Sequence, residues 1–183
     1  MILMHLKEIK GDSKIPGYID WITLTSFSFG AQQKIEQAKR GGGNDLETGK
    51  TGADSQEFSV DKSADIATVD LMYASIKHRA SGQASAPFMV DIAFIEPRHN
   101  WDDKSDKSAI KAYMKLRFGK ALIKQWSLNG SNTNRATESL TFWYNQVAIA
   151  YDAPTADGKS YQTYGPRGWD QLEGKDWVPS GWK

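Results

Sequence analysis

The chain has 183 residues, 39% hydrophobic and 25% charged, with 23 Lys plus Arg against 22 Asp plus Glu for a net charge of +1. That balance provides no basic field for nucleic acid, and no run approaches the roughly 20 apolar residues of a membrane-spanning helix, so neither nucleic-acid binding nor membrane insertion is expected. The lack of cysteine removes disulfides, thiolate metal sites and cysteine nucleophiles together.

The size suits one domain with a real core. Residues 1–9 alternate loosely and predict a first strand, closed by Gly11-Asp12-Ser13. The opening Met1-Ile2-Leu3-Met4 run is too short for a signal peptide and lacks a basic lead-in. It predicts synthesis in the cytoplasm and, if the protein is exported, a route that reads no amino-terminal signal. Residues 18–29 predict a second strand, with Ile19, Trp21, Thr23, Thr25, Phe27 and Phe29 on one face and Asp20, Ile22, Leu24, Ser26 and Ser28 on the other.

Residues 30–56 carry many glycines and polar side chains, with Ile35 and Leu46 the only large aliphatics. They predict a long exposed loop, of a length usually kept for function. Residues 63–80 predict the single helix. Asp61 or Ser63 is the expected cap, and Ile66, Val69, Met72, Tyr73 and Ile76 form the expected buried stripe. Lys77, His78 and Arg79 suit its last turn, and Gly82 its end.

Residues 86–96 predict a strand with Phe88, Val90, Ile92 and Phe94 on one side. A polar connection follows over 97–108, then strands 110–118 and 120–128 broken at Gly119. Residues 129–134 form a loop signature, and 138–151 predict the longest strand. The tail from Asp152 carries Trp169, Trp177 and Trp182. Many strands and one helix predict a mainly β fold: a two-sheet β-barrel or sandwich with one packed α-helix, in a single domain over 1–183. The long loop at 30–56 and an extended carboxy-terminal tail at 152–183 belong to that domain.

Catalytic signals are weak. His5, His78 and His99 are not at metal-ligand spacing, and no hydrolase, nucleotide or zinc-protease motif occurs. Asp102, Asp103 and Asp106 could ligate calcium but lack the EF-hand pattern, and Lys104 and Lys107 interleave them. Gly41-Gly42-Gly43 lacks the Lys-Ser/Thr of a phosphate cradle. Trp21, Trp126 and Trp143 lie in strand patterns and are expected in the core, whereas Trp169, Trp177 and Trp182 are candidates for a sugar-stacking shelf or a subunit contact.

Six short motifs occur in register along the chain. They are Lys10-Gly11-Asp12-Ser13, Ser26-Phe27-Ser28-Phe29-Gly30, Asp61-Lys62-Ser63-Ala64, Glu138-Ser139-Leu140-Thr141-Phe142, Asn145-Gln146-Val147, and the pair Ala156-Asp157-Gly158 and Gly168-Trp169-Asp170. Together they resemble the haemolysin-coregulated protein (Hcp) family, whose members form the tube of the bacterial type VI secretion system. The segment Ile76-Lys77-His78-Arg79 and the enlarged connection at 97–109 depart from the family pattern.

The resemblance implies a structural protein rather than an enzyme, without a cofactor. It implies a homo-oligomer in which hexameric rings stack into an inner tube, capped by a VgrG-type spike protein, surrounded by a sheath and able to carry secreted effectors. It also implies export by the type VI machine. Candidate ring-stacking residues are Gln33, Ile35, Arg40, Asn44, Leu46 and Glu47 in the long loop, and Trp169, Trp177 and Trp182 are candidate tail contacts. A phage-type tail-tube subunit shares the architecture. The competing readings are a Trp-rich carbohydrate-binding β-sandwich and a hydrolase drawing its acids from Asp102, Asp103 or Glu138.

Overall fold

The computed structural model describes residues 1–31, 57–80, 87–98, 109–157 and 160–182. Among these described residues are ten strands and one helix, in chain order: β1 (Ile2–Leu6), β2 (Ile22–Leu24), β3 (Ser26–Phe29), β4 (Glu57–Ser63), α1 (Thr68–Ala80), β5 (Phe88–Arg98), β6 (Ala109–Asn129), β7 (Thr137–Trp143), β8 (Gln146–Pro154), β9 (Tyr161–Asp170) and β10 (Lys175–Asp176). The expected mainly β class with a single packed helix is what forms.

The larger sheet runs β10-β9-β8-β6-β5-β1-β2 and the smaller runs β3-β4-β7-β6. The pairings described by register are antiparallel. The path ends at β2 and β10, so the sheet does not close into a barrel. The strand β6 belongs to both sheets: residues up to Ala121 pair with β5 and β8, and Leu122 to Asn129 pair with β7.

Between the sheets lies an aromatic core. Phe58 stacks against Phe118 at 4.0 Å and against Phe142 at 4.8 Å. Phe27 and Phe29 lean into the same cluster, and Val90, Ile92 and Leu116 complete it. Each well-placed ring pair adds about 0.5–1.5 kcal/mol beyond its area. A smaller cluster of Leu3, Tyr18, Ala93, Ile95 and Ala112, flanked by Ile15, Trp21 and Ile110, covers the opposite face of the larger sheet.

The predicted strand at 18–29 is two short strands on different sheets. Ile22 and Leu24 are buried in β2, whereas Phe27 and Phe29 point inward from β3. Buried residues therefore fall at even positions before Thr25 and odd positions after it. The chain turns the corner there, with the Thr25 N–H donating to the Asp61 carbonyl at 2.8 Å. Tyr18 to Trp21 form a turn, and Ile19 is exposed.

The two strands expected on either side of Gly119 are one 21-residue strand. The break signal is a bend instead: Lys120 has φ of 52°, and the register shifts again between Ile123 and Gln125. The strand expected over 138–151 is two strands, β7 and β8, reversed at Tyr144 and Asn145. Both of those residues are buried, which is why their composition reads as strand. The tail is not loose either, because β9 and β10 extend the larger sheet beyond β8.

The first motif has a plain steric cause. A Cβ on Gly11 would lie 2.3 Å from the Trp21 carbonyl oxygen. The Gly11 and Ser13 amides donate to the Asp20 and Trp21 carbonyls at 2.8 and 3.0 Å, which ties the turn to the start of β2.

Candidate assembly interface

Helix α1 is fixed by a buried ionic cluster. Lys62 points inward from β4, its Nζ 2.6 Å from Asp65 Oδ1 and 2.9 Å from Glu138 Oε1. Thr68 Oγ1 donates to Glu138 Oε1, and Trp126 Nε1 donates to Glu138 Oε2 at 2.9 Å. Burial pushes the Glu138 carboxyl up, but hydrogen bonds from Thr68, Lys62 and Trp126 and the Lys62 charge outweigh it. The group is held below the usual carboxylate range. Lys62 and Glu138 are fully enclosed, so a carboxylate already bound by three donors has no access to a substrate. This removes Glu138 from the hydrolase reading.

The cap differs from the expected Asp61 or Ser63. Asp65 Oδ1 accepts the Ala67 N–H at 2.9 Å, while Thr68 Oγ1 accepts the Asp65 N–H at 2.9 Å. This reciprocal pair satisfies amide donors at the helix start. Ser63 is the last residue of β4, and Asp61 faces outward from the same strand.

The helix also buries the opposite face from the expected one. Ala67 and Leu71 are fully buried, with Ala74 packed behind them. The small side chains let the helix backbone approach the core closely. Ile66, Val69, Tyr73 and Ile76, four of the five side chains predicted as the core stripe, are instead 62, 66, 58 and 55% exposed, and the fifth, Met72, is half-buried. The four exposed ones line up on the outward side at three- and four-residue steps, a contiguous apolar stripe of the kind that marks a contact surface.

The last two motifs lock the tail. Gln146 and Asp170 are partners across β8 and β9, and Gln146 Nε2 donates to Asp170 Oδ2 at 2.5 Å. Lys120 Nζ lies 3.4 Å from the same oxygen, while Asp170 Oδ1 accepts the amides of Leu172 and Glu173 at 2.9 and 3.0 Å. The Gln146 hydrogen bond leads these effects, and they hold the Asp170 carboxyl down at about 2. Gly168 is required by close approach: a Cβ there would lie 2.4 Å from the Trp177 carbonyl oxygen and 2.5 Å from that of Val147.

Of the candidate tail contacts, Trp169 is exposed. Trp177 is half-buried with its ring against Gly119. Trp182 is also half-buried and stacks over the Arg117 guanidinium at 5.4 Å. Arg117 in turn holds Asp91 through two hydrogen bonds and reaches the Ser180 carbonyl. Beneath Trp182 a cavity of about 310 Å³ is lined by Tyr18, Trp21, Asp91 and Arg117. Two of the three tail rings are thus engaged within the fold and form no open shelf with Trp169. Of the rings expected in the core, Trp126 packs there, Trp21 lies on the smaller cluster, and Trp143 points outward from β7, half-buried.

The outer face of the smaller sheet is of another character. Ser28, Ser59, Thr141 and Gln125 form one row across β3, β4, β7 and β6. The next row is Ser26, Asp61, Ser139 and Ser127. In it Ser26 and Ser139 donate to the Asp61 carboxylate at 2.5 and 2.6 Å. Those two bonds, Ser139 first, hold Asp61 below the usual range. Sequence reasoning passed over this face, although the alternating Ser and Thr of 26–28, 59–63 and 137–141 signal it.

The loop candidates Gln33, Ile35, Arg40, Asn44, Leu46 and Glu47 lie outside the described residues, as do Asp102, Asp103 and Asp106.

The family profile described as "Type VI secretion system effector, Hcp" matches residues 3–151. No curated protein matches the chain in sequence. Among solved structures, one titled as a type six secretion system protein superposes with a TM-score of 0.72 at 24% identity, covering 96% of this chain and 98% of its own. Hcp1 from Salmonella typhimurium gives 0.61 at 15% identity, covering 96% and 97%. The sheath-tube complex of the extracellular contractile injection system PVC gives 0.55 at 14% identity, covering 81% and 86%.

Proposed function

Because the chain belongs to the Hcp family, whose members are secreted structural tube proteins of type VI secretion systems, we propose that it forms hexameric rings that stack into the inner tube of such a machine. The observation that carries this reading is the outward apolar stripe formed by Ile66, in the turn before α1, and Val69, Tyr73 and Ile76 on it. A soluble monomer gains nothing from presenting such a stripe along α1, whereas a ring subunit buries it against its neighbour. Heterologous contacts of this kind close into rings when the rotation between copies is right.

The same reading places effectors in the lumen, a VgrG-type spike at the end and a sheath outside. Export then follows the machine itself rather than an amino-terminal signal. The chain acts by assembly and not by turnover. Gln33, Ile35, Arg40, Asn44, Leu46 and Glu47 of the segment 30–56 are proposed to contact the adjacent ring.

Light scattering of the purified 20.4 kDa chain, with negative-stain images of the same fraction, tests the proposal. A hexamer mass with annular particles is expected. A monomer that stays monomeric when mixed with its cognate spike protein overturns it. Deleting residues 38–50 is expected to leave rings intact and abolish stacking, and intact tubes from that deletion would refute the loop's role.

A further inference from the structure

We infer that the segment from Val178 to Trp182 is a tethered occupant of a peptide groove on the outer face of the larger sheet, and that a short aromatic-anchored segment of another protein takes the same groove when the tail leaves it.

The groove is built by register. Gly168, Ala148, Arg117 and Asp91 form one row across β9, β8, β6 and β5, and Ala150, Lys115 and Ala93 form the next across β8, β6 and β5. The glycine and the alanines keep the floor low, and Tyr18 and Trp21 form a wall beside Asp91 and Ala93. The tail lies in this trough. The Trp177 N–H donates to the Gly168 carbonyl at 3.0 Å, which ends the pairing with β9. Pro179 is then buried, Arg117 Nη1 donates to the Ser180 carbonyl at 3.3 Å, and the chain turns at Gly181, whose φ is 72°. The Trp182 ring finishes over the Arg117 guanidinium.

Two features make this segment an exchangeable ligand rather than a piece of the core. It is held lightly, because the Ser180 hydrogen bond and the Trp182 cation–π contact are its described polar ties beyond Trp177, and Val178 is exposed. Segments with so few contacts open at low cost. It also fits loosely. Trp182 borders two cavities, the one of about 310 Å³ toward β5 and another of about 270 Å³ toward β8 and β9, and is their shared wall together with Lys115. A longer or bulkier segment fills space that the native tail leaves open.

The anchor point persists without the tail. Asp91 accepts hydrogen bonds from Arg117 Nε and Nη2, so the guanidinium keeps one orientation and presents its face. A fixed guanidinium above an apolar floor selects an aromatic ring, and a ring seated in a pocket is the kind of anchor that dominates protein interfaces. The tail displays the rest of the preference: proline three positions before the ring and glycine next to it.

Trp182→Ala in the full chain vacates the anchor point, and Trp182→Ala with Pro179→Ser loosens the remaining tail. The probe is a fluorescein-labelled peptide of residues 178–183, Val-Pro-Ser-Gly-Trp-Lys, followed by polarisation. It is expected to bind both variants, and to bind the unmodified chain at least about tenfold more weakly, because the tethered tail competes at high effective concentration. No binding to either variant up to about 1 mM overturns the inference, as does equal affinity for all three chains. Variants that fail to fold show that the tail belongs to the core and overturn it too. Random peptides selected on the single variant are expected to carry Trp, Tyr or Phe and to be displaced by the tail peptide. Selected peptides without an aromatic anchor overturn the foreign partner, and so does a stable dimer in which the variant captures the tail of an unmodified copy. None of these measurements requires ring formation, so they stand or fall apart from the tube reading.

Discussion

The Lys62 ammonium lies 2.9 Å from the Glu138 carboxylate in the interior, and neither side chain is exposed. The two residues are 76 positions apart and sit on paired strands, β4 and β7, as direct register partners. Their contact, extended to Asp65 and Thr68, determines where the helix begins. Removing one partner leaves a buried charge without compensation, a loss of about 3–5 kcal/mol. Lys62→Met is therefore expected to lower the urea midpoint sharply. The double change Lys62→Met with Glu138→Leu is expected to recover part of that loss, since Asp65 still lacks its Lys62 partner, and a double variant as unstable as the single one would refute the account.

Substitutions on the outward helix stripe should separate folding from assembly. Val69→Glu and Tyr73→Glu replace exposed side chains, so monomer stability is expected to change by no more than about 0.5 kcal/mol. Ring formation, followed by light scattering, is expected to fail. Rings that persist with both changes would show that this stripe is not the contact.

Gly168→Ala is expected to be among the most damaging small changes in the chain. The new methyl would meet two backbone carbonyl oxygens, of Trp177 and Val147, which cannot rotate away as a side chain can. Strand β9 must shift from β8 or the Trp177 segment must lift. Thermal unfolding should show a drop of several degrees, equivalent to about 1–3 kcal/mol. Gly174→Ala, where no atom lies near, should cost less, its only penalty being a positive φ of 62°.

Acid should weaken the contacts that hold the tail. The Asp170 carboxyl is held at about 2, below the ordinary 3.8. A depressed folded-state value means that the unfolded chain binds the proton more readily. The stabilisation is therefore complete above the ordinary value and is lost as pH falls from 3.8 toward about 2. Asp61 and Glu138 are shifted in the same direction and add to the loss. Asp170→Asn is expected to flatten this acid limb in urea titrations across the same window, and an unchanged slope would refute it.

The motifs were readable because they encode local steric and polar necessities. Gly11 and Gly168 stand where a Cβ would strike backbone, and Lys62, Glu138, Gln146 and Asp170 satisfy one another in buried or half-buried places. Such necessities leave few residue choices and so leave a pattern. The helix face was misread because periodicity locates an apolar stripe without saying whose surface covers it. Val69, Tyr73 and Ile76 of α1 face outward, whereas Ala67, Leu71 and Ala74 face inward. Strand boundaries failed for a related reason. Tyr144 and Asn145 are buried like strand residues but make a turn, and Thr25 carries no mark of the crossing from one sheet to the other. The hydroxyl face was equally present in the alternation of serines and threonines, but alternation reports only that one side is wet.

Strand β6 has a mechanical consequence. Its 21 residues run unbroken through both sheets, a contour of about 70 Å. Pulling the sheets apart along this strand loads the ladders with β5, β7 and β8 in shear, where bonds share the force, rather than in a peel that opens them one at a time. A subunit threaded in this way carries a load applied along β6 through both sheets together, rather than concentrating it at the seam between them.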